Sequence, residues 1–198
     1  MRGFIVRGMA MALFIAALVT PAKAGIKEGD VNIGVDSLLH QLMLIFDGHV
    51  AELPPINGPL FGYGVDDPGF ISIENSVMGL DPPGPGSDLV VEVIHFDPAL
   101  KAWTPGFGSV IRNPGDRWDL GEAPVHEHPF WQIDSHDPAF VSPPQQTEWN
   151  ATVRIIDLGS TGYGASDPLT ITFTPEPAGA SLIVITGLLL GWRVRRGN

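Results

Sequence analysis

The chain has 198 residues, a formal net charge of −11 and no cysteine. That length suits one domain around one hydrophobic core, and the missing thiols exclude disulfides, thiol catalysis, cysteine-type zinc sites and iron–sulfur clusters. The acidic balance sets the protein against nucleic acid and anionic surfaces.

The charge is unevenly spread. All 22 acidic residues lie between Gly25 and Glu176, but only Lys27, Lys101, Arg112, Arg117 and Arg154 of the 11 basic residues do. Five positive against 22 negative groups leave that segment at −17. Before it, Arg2 and Arg7 precede an apolar run from Met9 to Val19, and Pro21-Ala22-Lys23-Ala24 ends in an A-x-A-like site. This order predicts a secretory signal peptide over residues 1–24, cut after Ala24.

From Gly25 the chain reads as short apolar, β-branched segments separated by Pro/Gly clusters, with no sustained helical periodicity. Asp30–Asp36 alternates, with Val31, Ile33 and Val35 on one face, and His40–Phe46 is more uniformly apolar. Leu53–Asp67, with Pro54, Pro55, Pro59 and several glycines, predicts a long loop, Phe70–Glu74 a strand, and Asp81–Gly86 a loop. Asp88–Phe96 is the strongest strand: strict alternation puts Leu89, Val91, Val93 and His95 on one face and Val90, Glu92, Ile94 and Phe96 on the other. One short strand is expected within Lys101–Asp116, another at His128–Ile133, and a polar loop over Pro138–Gln146. Glu148–Asp157, with Trp149, Ala151, Val153 and Ile155 inward, and Pro168–Thr174, with Leu169, Ile171 and Phe173 inward, predict a closing antiparallel hairpin. Seven or eight such strands predict an all-β domain over residues 25–174: a single antiparallel β-sandwich, immunoglobulin-like or jelly-roll.

The chain ends in Pro175-Glu176-Pro177, an uncharged run from Ala178 to Trp192, and Arg193, Arg195 and Arg196. The triplet cannot be helix interior. The apolar run, as a helix, reaches roughly 22 Å, short of a hydrocarbon core of about 30 Å, and the arginines favour the cytoplasmic side. This tripartite order over residues 175–198 resembles the PEP-CTERM sorting signal of exported proteins. The resemblance implies export, membrane tethering through residues 178–192, an exosortase-type sorting enzyme as partner, and a final place at the cell surface or outside it.

For chemistry, His126 and His128 stand out. At i, i+2 on an extended strand they share a face, so both imidazoles can reach one borderline metal such as zinc. His136 is the expected third ligand, with Asp134, Asp137, His40, His49 or His95 as other ways to complete the set. His126, His128, Pro129 and Phe130, followed by Ser166, Asp167 and Pro168, resemble PEP-CTERM proteins under zinc-responsive control. Asp81, Asp88, Asp97, Asp116 and Asp119 lie in or beside loops, where oxygen ligands can gather calcium, although no D-x-D-x-D-G loop is present. Trp103, Trp118, Trp131 and Trp149 are expected mainly in the core, with a carbohydrate surface as their other use. No G-x-S-x-G elbow and no phosphate-cradling Gly-rich loop occurs. The expectation is a non-catalytic structural or adhesive surface or matrix protein, with exopolysaccharide as partner. The alternative is an exported zinc-binding protein built on His126 and His128.

Overall fold

The computed structural model describes residues 26–27, 29–47, 51–56 and 58–176. The predicted signal peptide, the apolar run 178–192, the terminal arginines, Pro177 and His49 lie outside the described residues. Among those described, no helix is long and apolar enough to cross a membrane.

The described chain is all-β. Its strands are β1 (Val31–Asp36), β2 (Gln41–Ile45), β3 (Ala51–Leu53), β4 (Pro55–Ile56), β5 (Gly62–Val65), β6 (Phe70–Ser72), β7 (Asp88–Phe96), β8 (Leu100–Trp103), β9 (Val110–Ile111), β10 (Arg117–Glu122), β11 (His126–Glu127), β12 (Phe130–Asp134), β13 (Trp149–Asp157) and β14 (Leu169–Pro175). They form three sheets, ordered β11-β6-β1-β2, β10-β7-β13-β14-β3 and β4-β5-β12-β8-β9. The expectation of purely antiparallel pairing needs correction, because β1 pairs parallel with β6 and β14 parallel with β3. The layering is consistent with a β-sandwich. The closing hairpin is present, with Trp149 opposite Phe173 and Val153 opposite Leu169.

Two proline-rich stretches carry more strand than expected. Leu53–Asp67, expected as a loop, contains β4 and β5, which pair with each other, and Lys101–Asp116, expected to hold one short strand, takes in most of β8 and all of β9, which pair across a 3-10 turn at Pro105–Phe107. Strand β10 was not expected at all. Its sequence RWDLGE buries only Trp118 and Leu120 and turns charge outward.

All three sheets contribute to one apolar core. Phe70, Ile33 and Leu42 come from the first, Trp149, Ile155, Ile171 and Phe173 from the second, and Trp131, Ile133 and Leu100 from the third. Each such side chain contributes about 1.5–3 kcal/mol by leaving water. Rings mark where the sheets meet: Trp131 lies 4.8 Å from Phe173 and 5.9 Å from Phe96 between centroids, and Phe70 meets Trp118 edge-on at 5.7 Å.

A bulge corrects the face assignment of β7. Opposite β13, Val93 faces Val153 and His95 faces Thr152, so Ile94 is the extra residue. One inserted residue reverses the alternation after it. Phe96 therefore joins Leu89, Val91 and Val93 in the core, while His95 turns to solvent.

Glu92 is the register partner of Arg117 on one side and of Arg154 on the other. Arg117 donates to Oε1 from Nε at 3.0 Å and from Nη2 at 2.7 Å, and Arg154 Nε donates to Oε2 at 2.6 Å. The Arg117 bonds, helped by Arg154, outweigh burial and hold the carboxyl below its usual range. A lowered folded-state pKa stabilises the fold above the ordinary glutamate value of about 4.3, and the contribution is lost as pH falls through the folded value. Glu92→Gln should therefore cost about 1–2 kcal/mol at pH 7. In urea titrations its deficit against wild type should shrink between about pH 5 and pH 3. A deficit independent of pH would refute this origin.

Candidate metal centre

One end of the first sheet gathers three chain segments by topology. Strands β1 and β6 run parallel, so their starts lie side by side, with Val31 opposite Phe70. Strand β11 runs antiparallel to β6, with Glu127 opposite Phe70, so its finish lies at the same end. The residues just outside these strands, Asp30, Gly69 and His128, are thereby brought together.

Asp30 is buried, with only 3% of its side chain exposed. Its Oδ1 accepts the Gly69 N–H at 2.9 Å. Its Oδ2 lies 2.6 Å from Lys27 Nζ but outside hydrogen-bond geometry, so this oxygen has an ion-pair partner and no directed donor. Burial pushes the Asp30 carboxyl up, but Lys27, the Gly69 N–H and the nearby His128 together outweigh it, and the group stays below the usual carboxylate range. It is a buried anion facing a histidine pair.

The two imidazoles converge. His126 Nε2 and His128 Nε2 lie 3.0 Å apart, with ring centroids 4.9 Å apart. His126 Nε2 is 3.7 Å from Asp30 Oδ2, and His128 Nε2 is 4.0 Å from Asp30 Oδ1. His128 Nδ1 lies 2.8 Å from the Asp66 carbonyl and 3.1 Å from Asp67 Oδ1. A carbonyl only accepts, so its partner assigns the ring hydrogen to Nδ1 and leaves a lone pair on Nε2. Lys27 Nζ lies 2.9 Å from His126 Nε2. An ammonium only donates, so that nitrogen also presents a lone pair.

Two imidazole lone pairs and a carboxylate thus aim at one small volume. Tetrahedral zinc with bonds of about 2.0–2.1 Å separates its donors by roughly 3.3 Å; the imidazole nitrogens lie 3.0 Å apart, one 3.7 Å from Asp30 Oδ2 and the other 4.0 Å from Asp30 Oδ1. The His128 contact to a backbone carbonyl is the outer-shell bond that fixes tautomer and ring in metal-binding histidines. Asp30, His126 and His128 form the one group of this kind among the described residues.

His136, the expected third ligand, is not in the group. Its ring stacks on Phe61 at 3.9 Å and its main-chain N–H donates to Asp134 Oδ1. His40 packs on Tyr163, and His95 lies beside Asp97. Asp134 pairs with Lys101 and Asp137 with Arg112. The loop aspartates are spent locally rather than converging on a cation. Asp81 accepts from Ser37 and Ser76, Asp97 from Asn150, Asp116 from Arg112 and Asn113, and Asp119 from Gly121, while Asp88 opens β7. Trp118, Trp131 and Trp149 lie in the core and Trp103 is half-buried. Pro175 is the last residue of β14, and the Glu176 N–H donates to the Leu53 carbonyl at 2.9 Å.

The fold and the cluster together define an all-β protein with a His–His–Asp candidate metal centre. No protein-family model, no curated protein and no solved structure matches the chain.

Sequence reasoning missed Asp30 and Gly69. Gly69 is needed because a Cβ there would come within 2.7 Å of the His128 ring. Gly69→Ala should push that imidazole aside and weaken zinc binding about tenfold or more, read by isothermal titration, while the unfolding midpoint moves little. Wild-type affinity in this variant would show that the ring position is not used.

Proposed function

We propose that the chain is an exported, non-catalytic protein that binds one divalent metal of the zinc class through Asp30, His126 and His128. The observation that carries this reading is the 3.0 Å approach of two imidazole nitrogens beside a buried carboxylate. Three protein ligands leave a fourth coordination position open to water or to a group from a second molecule. We read the layered sheets as one sandwich of immunoglobulin-like or jelly-roll type, delivered by the signal peptide 1–24 and sorted through Pro175, Glu176 and Pro177 by an exosortase-type enzyme. It is held in the membrane by residues 178–192 until processing and then works at the cell surface or in the extracellular matrix.

A structural or adhesive role is the second reading, and one observation favours it. Phe61 and Phe107 are 45% and 53% exposed. Phe107 makes ring contacts with half-buried Trp103 and Phe130, and Phe61 and Trp103 line a groove of about 340 Å³ together with Lys101, Gln132 and Asp134. Aromatic faces beside charged and amide groups suit the mixed surface of exopolysaccharide.

Zinc at about a hundred times its dissociation constant should stabilise the fold by about 2.7 kcal/mol and raise Tm by about 5–10 °C. A variant carrying both His126→Ala and His128→Ala should lose that rise. An equal rise in both proteins would place the metal elsewhere. Export has a separate test: protein recovered from its native host should have a mass beginning at Gly25 and lacking the basic end. A full-length cytosolic species would end that part of the reading.

A further inference from the structure

Among the described residues Lys27 is the one positive side chain in contact with the cluster, and its position is built rather than incidental. Asn32, buried in β1, clasps the Lys27 main chain from both sides: its Oδ1 accepts the Lys27 N–H and its Nδ2 donates to the Lys27 carbonyl, each at 2.9 Å. The same amide donates to the Asp30 carbonyl. With the backbone held, the side chain delivers its ammonium 2.6 Å from Asp30 Oδ2 and 2.9 Å from His126 Nε2. Those are two of the three atoms that would ligate a metal, so ammonium and metal ion cannot occupy the volume together.

We infer that Lys27 is an internal cation that holds the metal site closed and is displaced when a divalent ion enters. This rests on the metal-binding reading above and adds its regulation. The ammonium neutralises a buried carboxylate that would otherwise be costly to fold around, and it gives the His126 lone pair a donor. The metal-free protein therefore folds with its ligands already gathered. A divalent ion takes over both tasks with twice the charge and shorter bonds. The displaced side chain has somewhere to go: Lys27 also lines a cleft of about 320 Å³ with Asn32, Glu74 and Asn75, where the Glu74 carboxylate can receive it. Nearly half of the Lys27 side chain is already exposed, so the exchange needs side-chain rotation and no rearrangement of strands. Ions too weak to outcompete a tethered ammonium are excluded, which makes Lys27 a residue that sets selectivity.

Two measurements on the full-length chain test this. In zinc titrations, Lys27→Met should tighten binding about tenfold or more, while Lys27→Arg, which keeps the charge, should stay near wild type. In wild type, labelling by an amine-reactive reagent followed by peptide mass spectrometry should rise severalfold at Lys27 when zinc is added. Lys101, paired with Asp134 at 2.7 Å, serves as the unchanging reference. If zinc binding depends on His126 and His128 but Lys27→Met binds no tighter, or Lys27 labelling does not change, the displacement is wrong and the metal site stands. If zinc binding is indifferent to the histidines, the site itself falls and this inference with it.

Discussion

The carboxylate of Asp30 sits where an anion is expensive to leave alone, and its partners organise one whole end of the first sheet. It takes the Gly69 N–H, which fixes the start of β6 against the start of β1. It draws the Lys27 ammonium inward, and Asn32 secures the main chain that carries that lysine. It also faces the histidine pair at the end of β11, His126 within the strand and His128 just past it. Burial of a charged oxygen is tolerable only with compensation of this density. Lys27 comes from the same segment as Asp30, but Gly69 and the histidines come from two others, so the electrostatic requirement of one carboxylate ties together three stretches of chain.

The core supplies the rigidity this arrangement needs. Trp131, fully buried on β12, meets Phe173 and Phe96 of the second sheet, and its Nε1 donates to the Pro68 carbonyl at 2.9 Å. That bond secures the loop whose Asp66 carbonyl orients His128 and whose Gly69 abuts the same ring. The imidazole is thus positioned through two peptide groups that a core tryptophan holds in place. Packing and site are connected through the loop 66–69 as well as through the strands of the first sheet.

Where a strand has strict alternation and several apolar residues, the sequence revealed it: β1, β7, β13 and β14 sit within a residue or two of their expected places. Strand β10 escaped notice because its inward face carries only Trp118 and Leu120 among charged neighbours. Strands β4 and β5 were hidden by prolines and glycines that read as loop, because Pro55 is tolerated in a short edge strand and Gly62 and Gly64 leave few side chains to count. The bulge at Ile94 was invisible, since an inserted residue changes the face of its neighbours without changing their composition. At the site, the histidine pair was legible because its two members are neighbours in sequence. Asp30 was not: its meeting with them depends on the parallel pairing of β1 with β6, and nothing local to Gly29-Asp30-Val31 announces that partner. His136 looked equally suitable by residue type, but stacking on Phe61 holds it away.

Strand β14 continues without slack into Pro175, where it is zipped to β13 along five facing residues and flanked by β3 over three. Its ladder bonds lie crosswise to the strand axis. A pull exerted on the chain beyond Glu176 would therefore travel down that axis and load many crosswise bonds simultaneously, in shear, instead of peeling them one after another. Built this way, the domain can bear tension at its C-terminal end without surrendering its last strand.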